Sequence, residues 1–431
     1  MRLHRLISLL AFASPFTVPP HLKAAEPAKP FEGQTLRVLS YYDTNSQAIS
    51  SRLSQFEEMT GASVNFRMIY GDEIYGPLSQ DTALPHGYDA VTIDQPFIAR
   101  LSSQLLPFDQ WPIANKEAAF DLPDFIPQAL RDTEYQGVSY GIPINANVYV
   151  YTYRMDLFSN SVERNDFRAL YGYELRPARN AQEFLDIARF FNRPPHLYGF
   201  APSTEYSEGT TVEAIWLFNM FDINLLDFDD YQALRVDQVE SAFKYYLELI
   251  KLSPPKSGDW HNRDKVNYYS RGRIAQMMSW PSFMDKFESP VFSLVAGRNR
   301  YTASPRGIQG TRSAISGTWS LGICKDSENV ALAAAFAEWW TSEKLAKIFV
   351  RKGMNPGKVS LLRNEALLYE KPWLNGIIQS FDESVSRPKA INYEHFSQII
   401  SDHFTAVIHE DLTPREAAKA LKKALLSLEL K

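Results

Sequence analysis

A single cysteine, Cys324, stands in 431 residues, which excludes any disulfide within the chain. The fold must therefore be held by its core alone. Cys324 lies in the apolar, strand-like LGICKDS, so inert packing is its expected role rather than nucleophilic chemistry. No cysteine stands near residue 25 to carry a lipid anchor. Low-complexity tracts are also missing, and a chain 45% hydrophobic and 22% charged is expected to be globular rather than disordered. The net charge of -5 gives no electrostatic motive for binding nucleic acid or an anionic membrane surface. Beyond the N-terminus no run approaches the ~18 apolar residues that a membrane span requires. GxGxxG, GxxxxGK[ST], GxSxG, HExxH and CxxC are all absent, which removes the motif-borne nucleotide, hydrolase and metalloprotease chemistries. The eight histidines form no set at metal-ligand spacing. The pairs Tyr41-Tyr42, Tyr245-Tyr246 and Tyr268-Tyr269 suit aromatic packing better than ferric ligation. No metal and no cofactor is expected.

The chain opens MRLHRLISLLAFASPFTV, basic and then apolar for about a dozen residues, followed by the small residues of LKAAEPA. This pattern is that of a secretory signal peptide over residues 1–25, cut near Ala24 or Ala25. The mature protein is thus expected to be free in the periplasm. QTLRVLSYYD reads as a strand, NSQAISSRLSQFEEMTG as one amphipathic helix carrying Ile49, Leu53 and Phe56, and ASVNFRMI as a second strand. Strand, helix and strand in ~35 residues imply a βαβ unit and a parallel sheet. YDAVTID adds a strand ending at Asp94. Helices and strands alternate onward: NAQEFLDIARFFN and VDQVESAFKYYLELIKL as helices, YGFAPS, GRIAQMMSW and TWSLGIC as strands. SENVALAAAFAEWWTSEKLAKIFV reads as one long helix. Near the end, Thr413, Pro414 and Glu416 compose an N-cap, a first-turn proline and a capping box. No linker separates two halves, so domains should be interleaved rather than serial.

YGIPINANVYVYTYRMDLF holds a long extended stretch of β-branched and aromatic residues with two asparagines inside it, Asn145 and Asn147. Two apart on a strand, they face the same side. Either they satisfy backbone groups, or they offer donors and acceptors to a ligand.

In order and spacing, LRVLSYYD…FEEMTG, YDAVTID with LLPFDQW, YQGVSYGIPINANVYVYTYRMDLF, SRGRIAQMMSW and SGTWSLGICKDSENVALAAAFAEWWTSEK resemble the family 1 extracellular solute-binding proteins of ABC importers, the carbohydrate-binding group that includes maltodextrin-binding protein. The resemblance runs from about Leu36 to the C-terminus. It implies an α/β, two-lobed periplasmic binding protein fold of type II, with interleaved lobes joined by hinge crossovers. The lobes expected are 34–142 with 298–350, and 143–297 with 351–431. The implied function is capture of a sugar, oligosaccharide or sugar alcohol between the lobes by a monomer that is not an enzyme. Delivery would be to the membrane permease subunits of an ABC transporter. A secreted carbohydrate-active enzyme, and a binding protein for iron or a polyamine on the same fold, are the alternatives.

By the same resemblance Asn145 and Asn147 point into the cleft from the crossover that follows Gly141, Ile142 and Pro143. Asp43 and, two strands on, Asp94 with Gln95 end strands at the cleft rim, where open α/β sheets present ligand groups; capping of the next helix is the other role open to them. Trp280 and Trp319 are candidate platforms for the apolar faces of sugar rings, and Tyr206 and Glu208 reach in from the second lobe. No Arg or Lys stands directly beside Asp43, Asp94 or Asn147, which favours a neutral ligand. Arg312 is the candidate for an anionic one.

Overall fold

The computed structural model describes residues 29–70, 87–204, 208–225 and 231–428. The expected signal segment and Tyr206 lie outside the described residues. Among these, the strands of three residues or more are, in chain order, β1 (Thr35–Tyr41), β2 (Ser63–Ile69), β3 (Ala90–Asp94), β4 (Ile142–Asn145), β5 (Val150–Arg154), β6 (Gln276–Ser279), β7 (Asn299–Thr302), β8 (Ala314–Ser316), β9 (Trp319–Ile323) and β10 (Ser384–Ser386).

The first sheet runs β2-β1-β3-β9-β4. Its β1, β2 and β3 are mutually parallel, as the βαβ reading requires, and β9 enters antiparallel between β3 and β4. The connection from β1 to β2 holds two short helices, Thr44–Ser50 and Leu53–Thr60, where one was expected. Arg52 leaves helical geometry at φ -126°, and Gly61 then closes the second helix in the left-handed region at φ 79°. Ile49 and Phe56 are nonetheless fully buried, so the apolar stripe survives the break. The long late helix is also two, Val330–Thr341 and Glu343–Arg351, because Ser342 is extended and its hydroxyl bonds the Trp339 carbonyl. Both pack Leu332, Phe336, Leu345 and Phe349 into the core beneath this sheet.

The second sheet runs β6-β5-β7 and is antiparallel. Around it lie the helices Ala181–Phe191, Glu208–Met220 and Val236–Lys251, with Tyr393–Ile408 and Pro414–Leu426 closing the core. The capping box at Thr413 and Glu416 forms as expected. YGFAPS makes no strand beyond one bridge, from Tyr198 to Ile274.

Three crossings join the two lobes, the first two of them side by side and the third near Asn355. The extended stretch from Ile142 splits into β4 in the first sheet and β5 in the second, with 146–149 between them. Alongside it runs the return through β8: Tyr149 N–H donates to the Ile315 carbonyl at 2.8 Å and Gly317 N–H to the Asn147 carbonyl at 2.8 Å. Asn355, between the two cores, accepts from Ala146 N–H at 2.7 Å. Strand pairing moves the expected lobe boundaries. Since β4 pairs with β9 through Asn145, the outward crossing starts after 145 rather than 142. Because β7 pairs with β5, the return comes after Thr302 rather than at 298.

Candidate ligand-binding cleft

Between the two sheets lies a cleft of about 350 Å³. Its floor is the crossing, which sets Asn145 and Asn147 on the same wall. Asn145 is the last residue of β4 and pairs in register with Trp319. The Asn147 carbonyl oxygen of the side chain is buried without a protein partner, an acceptor left over after the backbone has been satisfied.

Strand ends of the first sheet supply the next groups, as the carboxyl-end rule predicts. Asp43 follows β1, lines the cleft, and also caps the next helix by accepting from Ser46 N–H at 2.7 Å. Capping the helix thus does not remove Asp43 from the cleft wall. Burial, the largest influence, pushes its carboxyl above the ordinary range, while hydrogen bonds from Ser46, Asn45 and Asn145 work the other way. Tyr41, Tyr42 and Asn45 line the same corner. Trp319 starts β9 and stacks on Tyr41 with ring centroids 4.6 Å apart and planes 17° apart.

Asp94, at the end of β3, is on the wall and is held by Arg387, which bonds both of its oxygens. The same guanidinium reaches Glu208 at 2.9 Å. Glu208 opens the helix Glu208–Met220 on the other side of the cleft, and also accepts from Tyr393 and from Ser397, the latter at 2.8 Å. Burial raises its carboxyl, and the Arg387 charge opposes that rise. Arg387 therefore ties a carboxylate of the first sheet to one of the second sheet's layer, itself only 3% exposed.

Opposite stand Trp280, at the end of β6, with Ser282, Phe283 and Lys286 just beyond. Trp280 packs on Tyr149, centroids 5.0 Å apart at 46°. Lys286 is exposed, with its ammonium 5.9 Å from the Phe283 ring. Asn262 adds an amide whose oxygen accepts from Ser203 at 2.9 Å.

Seven of the expected residues line the cleft: Asp43, Asp94, Asn145, Asn147, Glu208, Trp280 and Trp319. Gln95 does not, because the chain turns into a 3-10 helix there and buries its side chain behind the wall. Its amide is taken up by the backbone of Arg387, donating to the carbonyl at 2.9 Å and accepting from the N–H at 3.1 Å. Arg312 is exposed and lies off the wall, in the turn before β8. No cation adjoins Asp94 in sequence, but one does in the fold. It is Arg387, brought from 293 residues away, a distance over which no local pattern could have announced it. Tyr41, Tyr42 and Asn45 were legible in principle, since they border the same strand end as Asp43.

Two α/β lobes, interleaved in sequence and facing each other across a cleft lined by aromatic, amide and carboxylate side chains, define a two-lobed ligand-binding protein. The chain belongs to the bacterial extracellular solute-binding protein family, whose model matches residues 44–347. It is similar to a probable amino-acid ABC transporter periplasmic-binding protein of Sinorhizobium fredii, 23% identical over 227 residues, or 52% of this chain and 51% of that one. The chain thus spans about half the length of that relative. With a mannitol-binding protein of Pseudomonas aeruginosa it shares 22% identity over 395 residues, 87% of this chain and 86% of that one. Among solved structures, an ABC transporter solute-binding protein of Agrobacterium radiobacter K84 in complex with ribitol superposes with a TM-score of 0.78. It is 21% identical and covers 92% of this chain and 98% of that one.

Proposed function

We propose that the protein captures a neutral sugar or sugar alcohol in this cleft and delivers it to the permease of an ABC importer. The observation that carries the reading is the pairing of two tryptophans, Trp280 and Trp319, with amides and carboxylates around one small cavity. Apolar C–H faces of a carbohydrate suit the rings, and its hydroxyls suit Asn145, Asn147 and Asp43, which supply donors and acceptors in mixed array. A cavity of about 350 Å³ suits a mono- or disaccharide-sized molecule. The mannitol-binding name of one relative and the ribitol in the neighbouring structure point the same way.

The only cationic groups on the cleft wall among the described residues are Arg387 and Lys286. Arg387 is spent on Asp94 and Glu208 and Lys286 is exposed to solvent, which supports a neutral ligand over an anionic one. That engagement also argues against hydrolysis. Each of these carboxylates is bound to the same guanidinium, so neither is free to serve as the acid or the nucleophile of a glycosidase. Binding without turnover is the reading, with closure favoured because the ligand touches both lobes. Residues 1–25 act as a cleaved secretory signal, and the mature monomer works in the periplasm.

A thermal-shift screen with ribitol, D-mannitol, maltose, sugar phosphates and amino acids tests it. A ligand of micromolar Kd at millimolar concentration adds about 4 kcal/mol of stability and raises the midpoint by several degrees. A response to a neutral polyol or sugar supports the proposal. A response confined to amino acids or to phosphates overturns the ligand class.

A further inference from the structure

Behind the cleft wall sits a polar cluster that touches no part of the cavity. Lys265 and Glu213 are 0% exposed, and Tyr149 and Tyr246 are 1% exposed. The Tyr149 hydroxyl donates to Glu213 at 2.5 Å and accepts from the Lys265 ammonium at 3.2 Å. Tyr246 donates to the other Glu213 oxygen at 3.1 Å. Lys265 also lies 5.5 Å from the Tyr149 ring centroid. These groups come from three helices, Glu208–Met220, Val236–Lys251 and Asn262–Ser270, and from the crossing just before β5.

Burying a charged pair is expensive, and an apolar cluster of the same volume is often the more stable choice. The arrangement does, however, leave Tyr149 one orientation, since its hydroxyl is fixed from two sides. What Tyr149 faces is Trp280. Val150 and Ser279 are paired in register, so Tyr149 and Trp280 are the next pair beyond the strand ends. Their rings meet at 5.0 Å. The far edge of the indole fits against Gly317, where a Cβ would come within 2.9 Å of two of its ring carbons. Trp280 is thus seated in a slot, with Tyr149 on one side and the absent side chain of Gly317 on the other.

We infer that Tyr149 is a positioning residue, held by Glu213 and Lys265, which sets the place of the Trp280 ring and through it the affinity of the cleft. The inference rests on Trp280 serving as a ligand platform. Neither Glu213 nor Lys265 touches the ligand; they act through Tyr149.

The test is a double-mutant cycle on the full mature protein, with ribitol and D-mannitol as probes. Tyr149→Phe keeps the ring and removes its anchor. It should weaken binding about 3- to 10-fold alone and less than about 2-fold when Trp280→Ala is already present, because contacting residues couple and independent ones add. Equal losses in both backgrounds, or a lowered Tm with unchanged affinity, overturn the inference. If Trp280→Ala by itself leaves affinity unchanged, the platform reading fails instead. Should Tyr149→Phe not fold, Lys265→Met takes its place with the same outcomes expected. A readout free of ligand completes the set. The Trp280 contribution to fluorescence, taken as the difference between each protein and its Trp280→Phe partner, should shift in Tyr149→Phe. An unshifted contribution contradicts the inference even if neither probe binds.

Discussion

Asp94 and Arg387 are 293 residues apart in sequence and share a two-pronged ion pair on the wall of the cleft, with Arg387 only 3% exposed. Asp94 ends a strand of the first sheet, while the same guanidinium holds Glu208 on the opposite side. One side chain therefore links both lobes and the segment after β10.

Removing that link should be costly. Arg387→Met leaves buried Asp94 and half-buried Glu208 without their counter-charge, and breaking a buried pair in this way costs about 3 to 5 kcal/mol. Arg387→Lys should recover only part of the loss, since an ammonium cannot bond two carboxylate oxygens in a fork. Urea unfolding midpoints of the two variants measure both effects; equal stability of Arg387→Lys and the parent would contradict the bidentate role.

Asp43 should show a conflict between stability and binding. Its folded carboxyl is raised above 3.8 by burial. Between 3.8 and the raised value the folded state holds more proton than the unfolded one, so stability from this group is present at low pH and is lost as pH rises through that window. At neutral pH the ionised Asp43 is a cost. Asp43→Asn retains a good N-cap and should leave the ligand-free protein as stable or more so at pH 7, while weakening ligand binding about 10-fold through the loss of a charged acceptor. Thermal melts at several pH values and a binding titration check the two halves separately.

Lys265 gives the opposite pH sign. Burial pushes its ammonium down to about 8 from the ordinary 10.5, against the pull of Glu213. Across that interval the unfolded chain binds more proton, so stability from this group rises with pH. Relative to Lys265→Met, the parent should gain up to about 3 kcal/mol between pH 8 and 10.5. Chemical denaturation at pH 8 and pH 10 reads the difference; a parallel pair of curves would contradict it.

The two tryptophans should matter separately. Trp280→Ala and Trp319→Ala are each expected to weaken sugar or polyol binding by about 10-fold, the scale of an aromatic contact with its buried area. Trp319→Ala should also strip the cover from Tyr41, which stacks on it. Calorimetric titration of the two variants, with Tm recorded beside it, distinguishes loss of contact from loss of fold.

Rules that act over a few residues found much of the cleft wall. Period two placed Asn145 and Asn147 on one side, and the carboxyl ends of β1 and β3 located Asp43 and Asp94. The same rule misplaced Gln95, because it says nothing of the 3-10 turn that begins there and folds the amide away. Arg312 was chosen for its charge alone, and its exposed turn leaves it off the wall. Arg387 could not be reached at all, since its partner stands in another lobe and no pattern within one sequence couples the two. Ser342 and Arg52 each break a helix that periodicity read as continuous; apolar spacing persists across a single non-helical residue, so the stripe conceals the break.

The most direct measurement is calorimetric titration of the mature protein with ribitol and with D-mannitol, alongside a variant carrying Asn145→Ala and Asn147→Ala. One-to-one binding to the parent is expected without consumption of the ligand, and binding to the variant should be weakened at least about 10-fold, since two floor amides are gone. Equal affinity in parent and variant, or release of a chemically altered product, would contradict it.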